Sequence, residues 1–248
     1  MYLTIRGLVL RIVDYKDRDA LLTLLTSDRG RMTVKVRGLR RKNCPHTAAC
    51  QLLTLSEFTL FEYRDMYTVN EAHAVELFHG LRRELQKLSL GTYFAQVAEV
   101  ISQEDIPNPQ LLSLVLNSLF VLSGSEISEA KVKAVFEFRC ACLAGYFPDL
   151  SGCNQCGNPV PDRFDVSSGM LECGKCRDPY SQGLRIPVTP SMLDGMRFIA
   201  DCDPKRLFSF KIPDADMESL SHLTEVYLST QLERGFSTLD FYKSLFLV

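Results

Sequence analysis

Four cysteines, Cys153, Cys156, Cys173 and Cys176, form two Cys-x-x-Cys pairs sixteen residues apart in CNQCGNPVPDRFDVSSGMLECGKC. Two residues inside each pair let both sulfurs of one turn reach the same ion, and two pairs supply the four thiolates of a ribbon-type site. Gly157 and Gly174 permit backbone conformations in which amides turn toward thiolates. Asn158-Pro159, Pro161-Asp162 and Ser167-Ser168-Gly169 predict turns between the pairs rather than a long helix. The expected occupant is one Zn2+ ion, favoured over an iron–sulfur cluster. Four thiolates around a tetrahedral ion leave no open coordination position, so the site is structural. A thioredoxin-type redox dithiol normally uses one pair after a strand. A catalytic zinc would replace a thiolate with His or water, and His46, His73, His79 and His222 all lie far from the pairs in sequence. Binding free energies of roughly 10–16 kcal/mol for such ions can decide whether a small lobe folds.

Other catalytic chemistry is not visible. The chain has no Walker loop, G-x-G-x-x-G, H-E-x-x-H or G-x-S-x-G motif. Glu71, Glu76, Glu99 and Glu104 form no constellation and are read as surface solvation. No active site is expected, although a metal-dependent nuclease is a weaker third possibility. Cys140 and Cys142 fall in a helical pattern and read as buried structural thiols. The start MYLTIRGLVLRIVDYKDRD is interrupted by Arg6 and Arg11 and does not read as a signal peptide. The longest apolar stretch, Leu111–Leu122, is twelve residues, against about twenty for a membrane span. A soluble, cytoplasmic protein without membrane contact is expected. In reducing cytosol its nine cysteines should be thiols or ligands rather than disulfides.

The second chemical signal is charge. Residues 1–42 carry eleven Lys or Arg against four Asp, a net +7, so the remaining 206 residues must carry −9 to give the total of −2. A near-neutral chain thus conceals a basic head, which attracts polyanions. In RMTVKVR, Met32, Val34 and Val36 alternate with Arg31, Thr33, Lys35 and Arg37, so a strand there packs one face inward and presents cations on the other. Arg40, Arg41 and Lys42 continue the charge in a Gly38 loop, and no acid intervenes between Arg29 and Lys42. A solvated face is the plain alternative, but such faces usually mix both signs. Six phosphate contacts to a single strand would give a log–log salt slope of about −4. Phe61 and Tyr63 share a strand face and could stack on bases; core packing explains them equally well.

These groups must be held by an α+β architecture. Segments 3–13, 20–26, 31–37, 53–63 and 67–75 read as short strands separated by YKDRD, SDRG and YRDM. Five strands in about 75 residues suit an OB-fold β-barrel. From Glu76 to Tyr146 the period becomes helical in LFHGLRRELQKL, YFAQVAEVISQ, LLSLVLNSLFVLS and KVKAVFEFRCACLAGYF. Asn108-Pro109 and Ser128-Glu129 predict helix starts, as does Thr189-Pro190, and further helices follow over 213–235 and in STLDFYKSLFLV. The expected organisation is an OB-fold domain over 1–78 that carries the site for a polyanion, and an all-α domain over 79–150 and 181–248. A four-Cys zinc ribbon over 151–180 is inserted in the latter.

GLVLRIVDYKDRDALLTLLTSDRGRMTVKVRGLRR and GYFPDLSGCNQCGN resemble the corresponding segments of bacterial recombination mediators of the RecO family. The resemblance runs in the same order over nearly the whole chain. It implies an OB-fold, a helical domain carrying the zinc element, binding of single- and double-stranded DNA, and annealing of complementary strands. It also implies a partner, RecR, with which RecA is loaded onto DNA coated by single-stranded DNA-binding protein (SSB). The C-terminal tail of SSB would be captured on the helical body, and the protein would associate with the nucleoid. By position, the resemblance assigns DNA contact to Arg31, Lys35, Arg37, Arg40, Arg41 and Lys42, with Arg6 and Arg11 as weaker candidates. The four-Cys set is not universal in the family, so its completeness implies a zinc-bearing member. NCPHTAAC, at 43–50, departs from the more basic loop the family would place there. The rival class is a zinc-stabilised protein–protein adaptor without direct DNA binding.

Overall fold

Alternating apolar residues build five strands close to their expected bounds: β1 (Tyr2–Tyr15), β2 (Asp19–Thr26), β3 (Arg31–Val36), β4 (Leu55–Tyr63) and β5 (Met66–Glu76). They close into a barrel in the order β1-β2-β3-β5-β4, with β4 pairing back onto β1. In this OB-like barrel all the contacts are antiparallel except β3 with β5. The structure is a computed structural model and describes residues 1–64, 66–176 and 183–246. Met32, Val34 and Val36 point inward as their period requires, and join Val9, Leu22, Leu24, Phe58, Leu60 and Val69 in the barrel core. Burial of each large side chain contributes roughly 1.5–3 kcal/mol. β1 pairs with β4 through its first half and β2 through its second, with a register break between Val9 and Arg11.

The chain divides into two compact units, Met1–Ser125 with Phe236–Val248, and Glu126–Gly235. The first joins the barrel to α1 (Leu85–Ile101), α2 (Pro109–Gly124) and α6 (Ser237–Ser244). The apolar period of LFHGLRRELQKL does not give one continuous α-helix. Residues His79–Arg83 form a 3-10 turn, and α1 starts only at Leu85. Phe78 is left-handed at φ 47° and Glu84 extended at φ −128°, which isolates that turn. Close packing fixes it: a Cβ on Gly80 would lie 1.8 Å from the Ser123 carbonyl oxygen. Asn108 caps α2 by accepting from the Leu111 amide, and Thr238 donates to Gln96, which ties α6 to α1.

The second unit contains α3 (Glu129–Leu143), α4 (Pro190–Asp201) and α5 (Asp214–Gln231). Ser128 and Thr189 cap α3 and α4 through their side chains. Glu137 is fully buried between α3 and α5, where Lys133 at 3.1 Å and the Thr224 hydroxyl at 2.8 Å satisfy it. A four-stranded sheet, β6 (Asp149–Cys153), β7 (Arg163–Asp165), β8 (Met170–Glu172) and β9 (Arg185–Pro187), is ordered β6-β8-β7-β9. The expected end of the cysteine element at 180 falls within 177–182, outside the described residues. No helix among the described residues is long and apolar enough to cross a membrane.

Candidate nucleic-acid interface and metal centre

The four sulfurs converge. All lie within 4.8 Å of one another, and Cys156 Sγ sits 3.8 Å from Cys173 Sγ. Zn–S bonds of about 2.3 Å give a tetrahedral edge of about 3.8 Å, which the Cys156–Cys173 separation matches, so the cluster could hold a metal ion. The first pair is set by a tight turn in which the Gly157 amide donates to the Cys153 carbonyl and the Cys153 amide to the Asn158 carbonyl. Gly157 takes φ +70°, as its identity suggests. Gly174 serves differently: its φ is not positive, and a Cβ there would press on the Asp162 carboxylate at 3.1 Å. That carboxylate accepts from the Gly174 amide at 2.6 Å and so fixes the second pair.

Donors around the sulfurs favour thiolate. The Cys173 amide donates to Cys153 Sγ at 3.3 Å, and Asn158 Nδ2 to Cys173 Sγ at 3.2 Å. Burial pushes the Cys153 thiol up, but hydrogen bonds from the amides of Cys156, Gln155 and Cys173 outweigh it and bring the group down to about 6. Hydrogen bonding to Cys156 heads the effects that raise Cys176 to about 12, so four thiolates need a cation among them to coexist. The remaining thiols behave as packing: burial raises Cys50 to about 12, Cys142 to about 11 and Cys140 well above its ordinary value. The ribbon is anchored within its own unit. Phe164 packs edge-on against Tyr227 of α5, and Arg197 of α4 donates to the carbonyls of Leu150 and Pro159.

The cations divide into paired and unpaired sets. Sequence adjacency suggested a row free of acid, but carboxylates arrive from other elements. Arg31 meets Glu104 at 3.6 Å and donates to the Glu99 carbonyl at the end of α1. Lys35 holds Asp19 at 2.9 Å and lies over the Tyr15 ring, with only 15 % of its side chain exposed. Arg6 pairs with Glu57, Arg11 with Glu99 and Arg40 with Asp14. Arg37, Arg41 and Lys42 are exposed and have no carboxylate within ion-pair distance among the described residues. The cations of β3 are therefore not free of acid as their sequence suggested, and those without a carboxylate partner among the described residues follow the strand.

That loop is a built feature. Gly38 turns at φ +65°, and its amide donates to Asp19 Oδ1 at 2.9 Å. The Arg40 amide donates to the Arg18 carbonyl at the β1–β2 tip, which brings Lys16 and Arg18 alongside. The Gly38 amide, then Lys35, lowers the Asp19 carboxyl below its ordinary 3.8. The depressed value keeps the bond intact at neutral pH and loses it only as pH falls through the folded pKa. Two open clefts share Arg37. One of about 420 Å³ is lined by Asp19, Arg41, Asn43, Cys44 and His46. The other, of about 320 Å³, is lined by Tyr2, Phe61, Thr68, Val69 and Asn70.

Residues 1–78 match the family described as recombination protein O N terminal, and residues 82–240 match recombination protein O C terminal. The DNA repair protein RecO of Acetivibrio thermocellus is 32% identical over 248 residues, covering 98% of this chain and 97% of the relative. This chain belongs to the RecO family. A second RecO, from Alkaliphilus metalliredigens, is 27% identical over 248 residues, 99% of this chain and 100% of the relative. RecO membership makes this a protein of DNA repair and recombination. Sequence reading passed over three features of this RecO barrel: the cations at the β1–β2 tip, Tyr2, and Asn70. Their juxtaposition depends on strand register; residue type could have flagged the cations and Tyr2, and nothing in the sequence marks Asn70.

Proposed function

We propose that this RecO protein binds single- and double-stranded DNA, anneals complementary strands, and with RecR helps load RecA onto SSB-coated DNA. The carrying observation is the unpaired cluster Arg37, Arg41 and Lys42 on a turn fixed by Asp19. Complementary strands repel through their phosphates, and annealing needs that repulsion screened while bases stay exposed. Fixed cations on a rigid wall do this without sequence preference. Arg40 joins through an exposed pair with Asp14, a weak bond that phosphate can replace. Lys35 and Arg31 act chiefly as struts, and Arg6 and Arg11 are secondary contacts held by Glu57 and Glu99.

Zinc in the four-Cys cluster would brace the lobe that carries it, with no step of annealing passing through the ion. RecR, the SSB tail and RecA enter from the family resemblance, as does nucleoid association; a cytoplasmic location and the lack of enzymatic activity enter from the sequence patterns. The carboxylate matching of Arg31 and Lys35 favours a second reading, an adaptor without DNA contact. Strand annealing on SSB-coated oligonucleotides separates the two. The wild type should anneal and a folded Arg37→Glu, Arg41→Glu, Lys42→Glu variant should not; a wild type that shifts no DNA at moderate salt would leave the adaptor.

A further inference from the structure

The outer wall of the barrel carries one row of paired residues around four strands. Tyr2 of β1 faces Phe61 of β4, Phe61 faces Thr68 of β5, and Thr68 faces Lys35 of β3. Tyr2 and Phe61 are 63% and 40% exposed, large aromatic surface that the barrel core does not use. Their ring centroids lie 5.3 Å apart at 55°. Such a tilted cross-strand pair holds both rings in place and leaves outer aromatic surface free. Tyr63, on the same strand face, differs: its ring already carries the Arg64 guanidinium at 5.1 Å.

The surroundings specify the chemistry of what could cover this surface. β5 pairs Glu71 with Thr59 and Val69 with Leu60, so Asn70 is an extra residue in a bulge, a device that re-aims a side chain. Asn70 lines the cleft with Tyr2, Phe61, Thr68 and Arg37. The cleft therefore offers exposed aromatic ring faces, an amide that can donate and accept, a hydroxyl and a guanidinium. No carboxylate lines it among the described residues, and Arg37 continues into the neighbouring cleft with Arg41 and His46. Beside this cleft β3 and β5 close the barrel through two residue pairs, Val34 with Tyr67 and Lys35 with Thr68. An anionic chain bearing flat, hydrogen-bonding rings meets all of these features, and a duplex with its bases stacked inside does not.

We propose that the Tyr2–Phe61 pair is a stacking site for an unpaired nucleobase, with Asn70 at the base edge and Arg37 on the adjoining phosphate. This deepens the DNA-binding reading and rests on it: the site would select single strand over duplex, whereas the loop cations act on both.

The test is binding of the full-length, zinc-loaded protein and its Tyr2→Leu, Phe61→Leu double variant to matched single-strand and duplex oligonucleotides. Single-strand affinity should fall about 10-fold or more, duplex affinity should change less than about twofold, and the salt slope should not change because no charge is removed. Equal losses on both DNAs, or an unchanged single-strand affinity, would overturn the stacking site while leaving DNA binding standing. A wild type that binds neither DNA overturns both readings. Photocrosslinking of wild-type protein to a 5-iododeoxyuridine single strand does not depend on the variant folding. Adducts should map to Tyr2 or Phe61, and adducts found only elsewhere would contradict the proposal.

Discussion

The cysteine ribbon and the cationic edge of the barrel were both conspicuous as residue patterns, yet only the ribbon keeps its pattern intact in three dimensions. The ribbon's four cysteines come from two tight turns, and local backbone geometry brings each pair together: Gly157 turns at φ +70°, and the Gly174 amide is held by Asp162. Spacing along the chain is then nearly spacing in space. The cations of β3 project from a sheet, where nearest neighbours are set by cross-strand register. Asp19 reaches Lys35 from β2, and Glu104 reaches Arg31 from the segment after α1. Absence of acid in a stretch of sequence therefore says nothing about absence of acid around it.

The largest effect should come from the ribbon. Cys153→Ser with Cys176→Ser removes two of four ligands, and metal-binding free energies of roughly 10–16 kcal/mol match or exceed the stability of a typical domain, about 5–15 kcal/mol. Thermal unfolding with metal analysis should show loss of one zinc per chain and loss of the cooperative transition of Glu126–Gly235. Any fall in DNA affinity should track the unfolded fraction. A well-folded, metal-free variant that fails to bind DNA would make the ribbon a direct contact and erase the contrast. Next in size, the triple reversal Arg37→Glu, Arg41→Glu, Lys42→Glu should weaken single-strand binding by on the order of 100-fold or more at low salt, because attraction becomes repulsion. The melting temperature should stay unchanged, since none of the three holds a carboxylate among the described residues.

The smallest effect on DNA should come from two residues that the sequence placed level with Arg37 and Arg41. Arg31→Ala with Lys35→Ala should change affinity less than about threefold, because already paired charges have little left to offer phosphate. The same change should lower the melting temperature by removing the links to Glu99, Glu104 and Asp19. A loss on DNA as deep as that of the triple reversal would restore the whole β3 row as the contact.

The barrel was legible because period-two alternation in a strand such as RMTVKVR has one physical outcome, Met32, Val34 and Val36 inside. The helix starts at Asn108, Ser128 and Thr189 were legible because a capping side chain acts within its own turn. LFHGLRRELQKL misled because its apolar spacing cannot reveal that Gly80 must pack against Ser123. Phe61 could not be assigned because exposure and burial share one strand pattern until the partner Tyr2 is known. Charge pairing across the barrel was hidden for the same reason.

The salt dependence of single-strand binding tests the central claim most directly. Phosphate contact by Arg37, Arg41 and Lys42 together with Arg40 predicts a log–log slope of about −3 for the wild type, rather than the −4 or so of six. Substitution of Arg37, Arg41 and Lys42 by Ala should cut it to about −1 or shallower, the share of Arg40. A slope that survives that triple substitution would contradict the assignment of phosphate contact to the unpaired edge of the barrel.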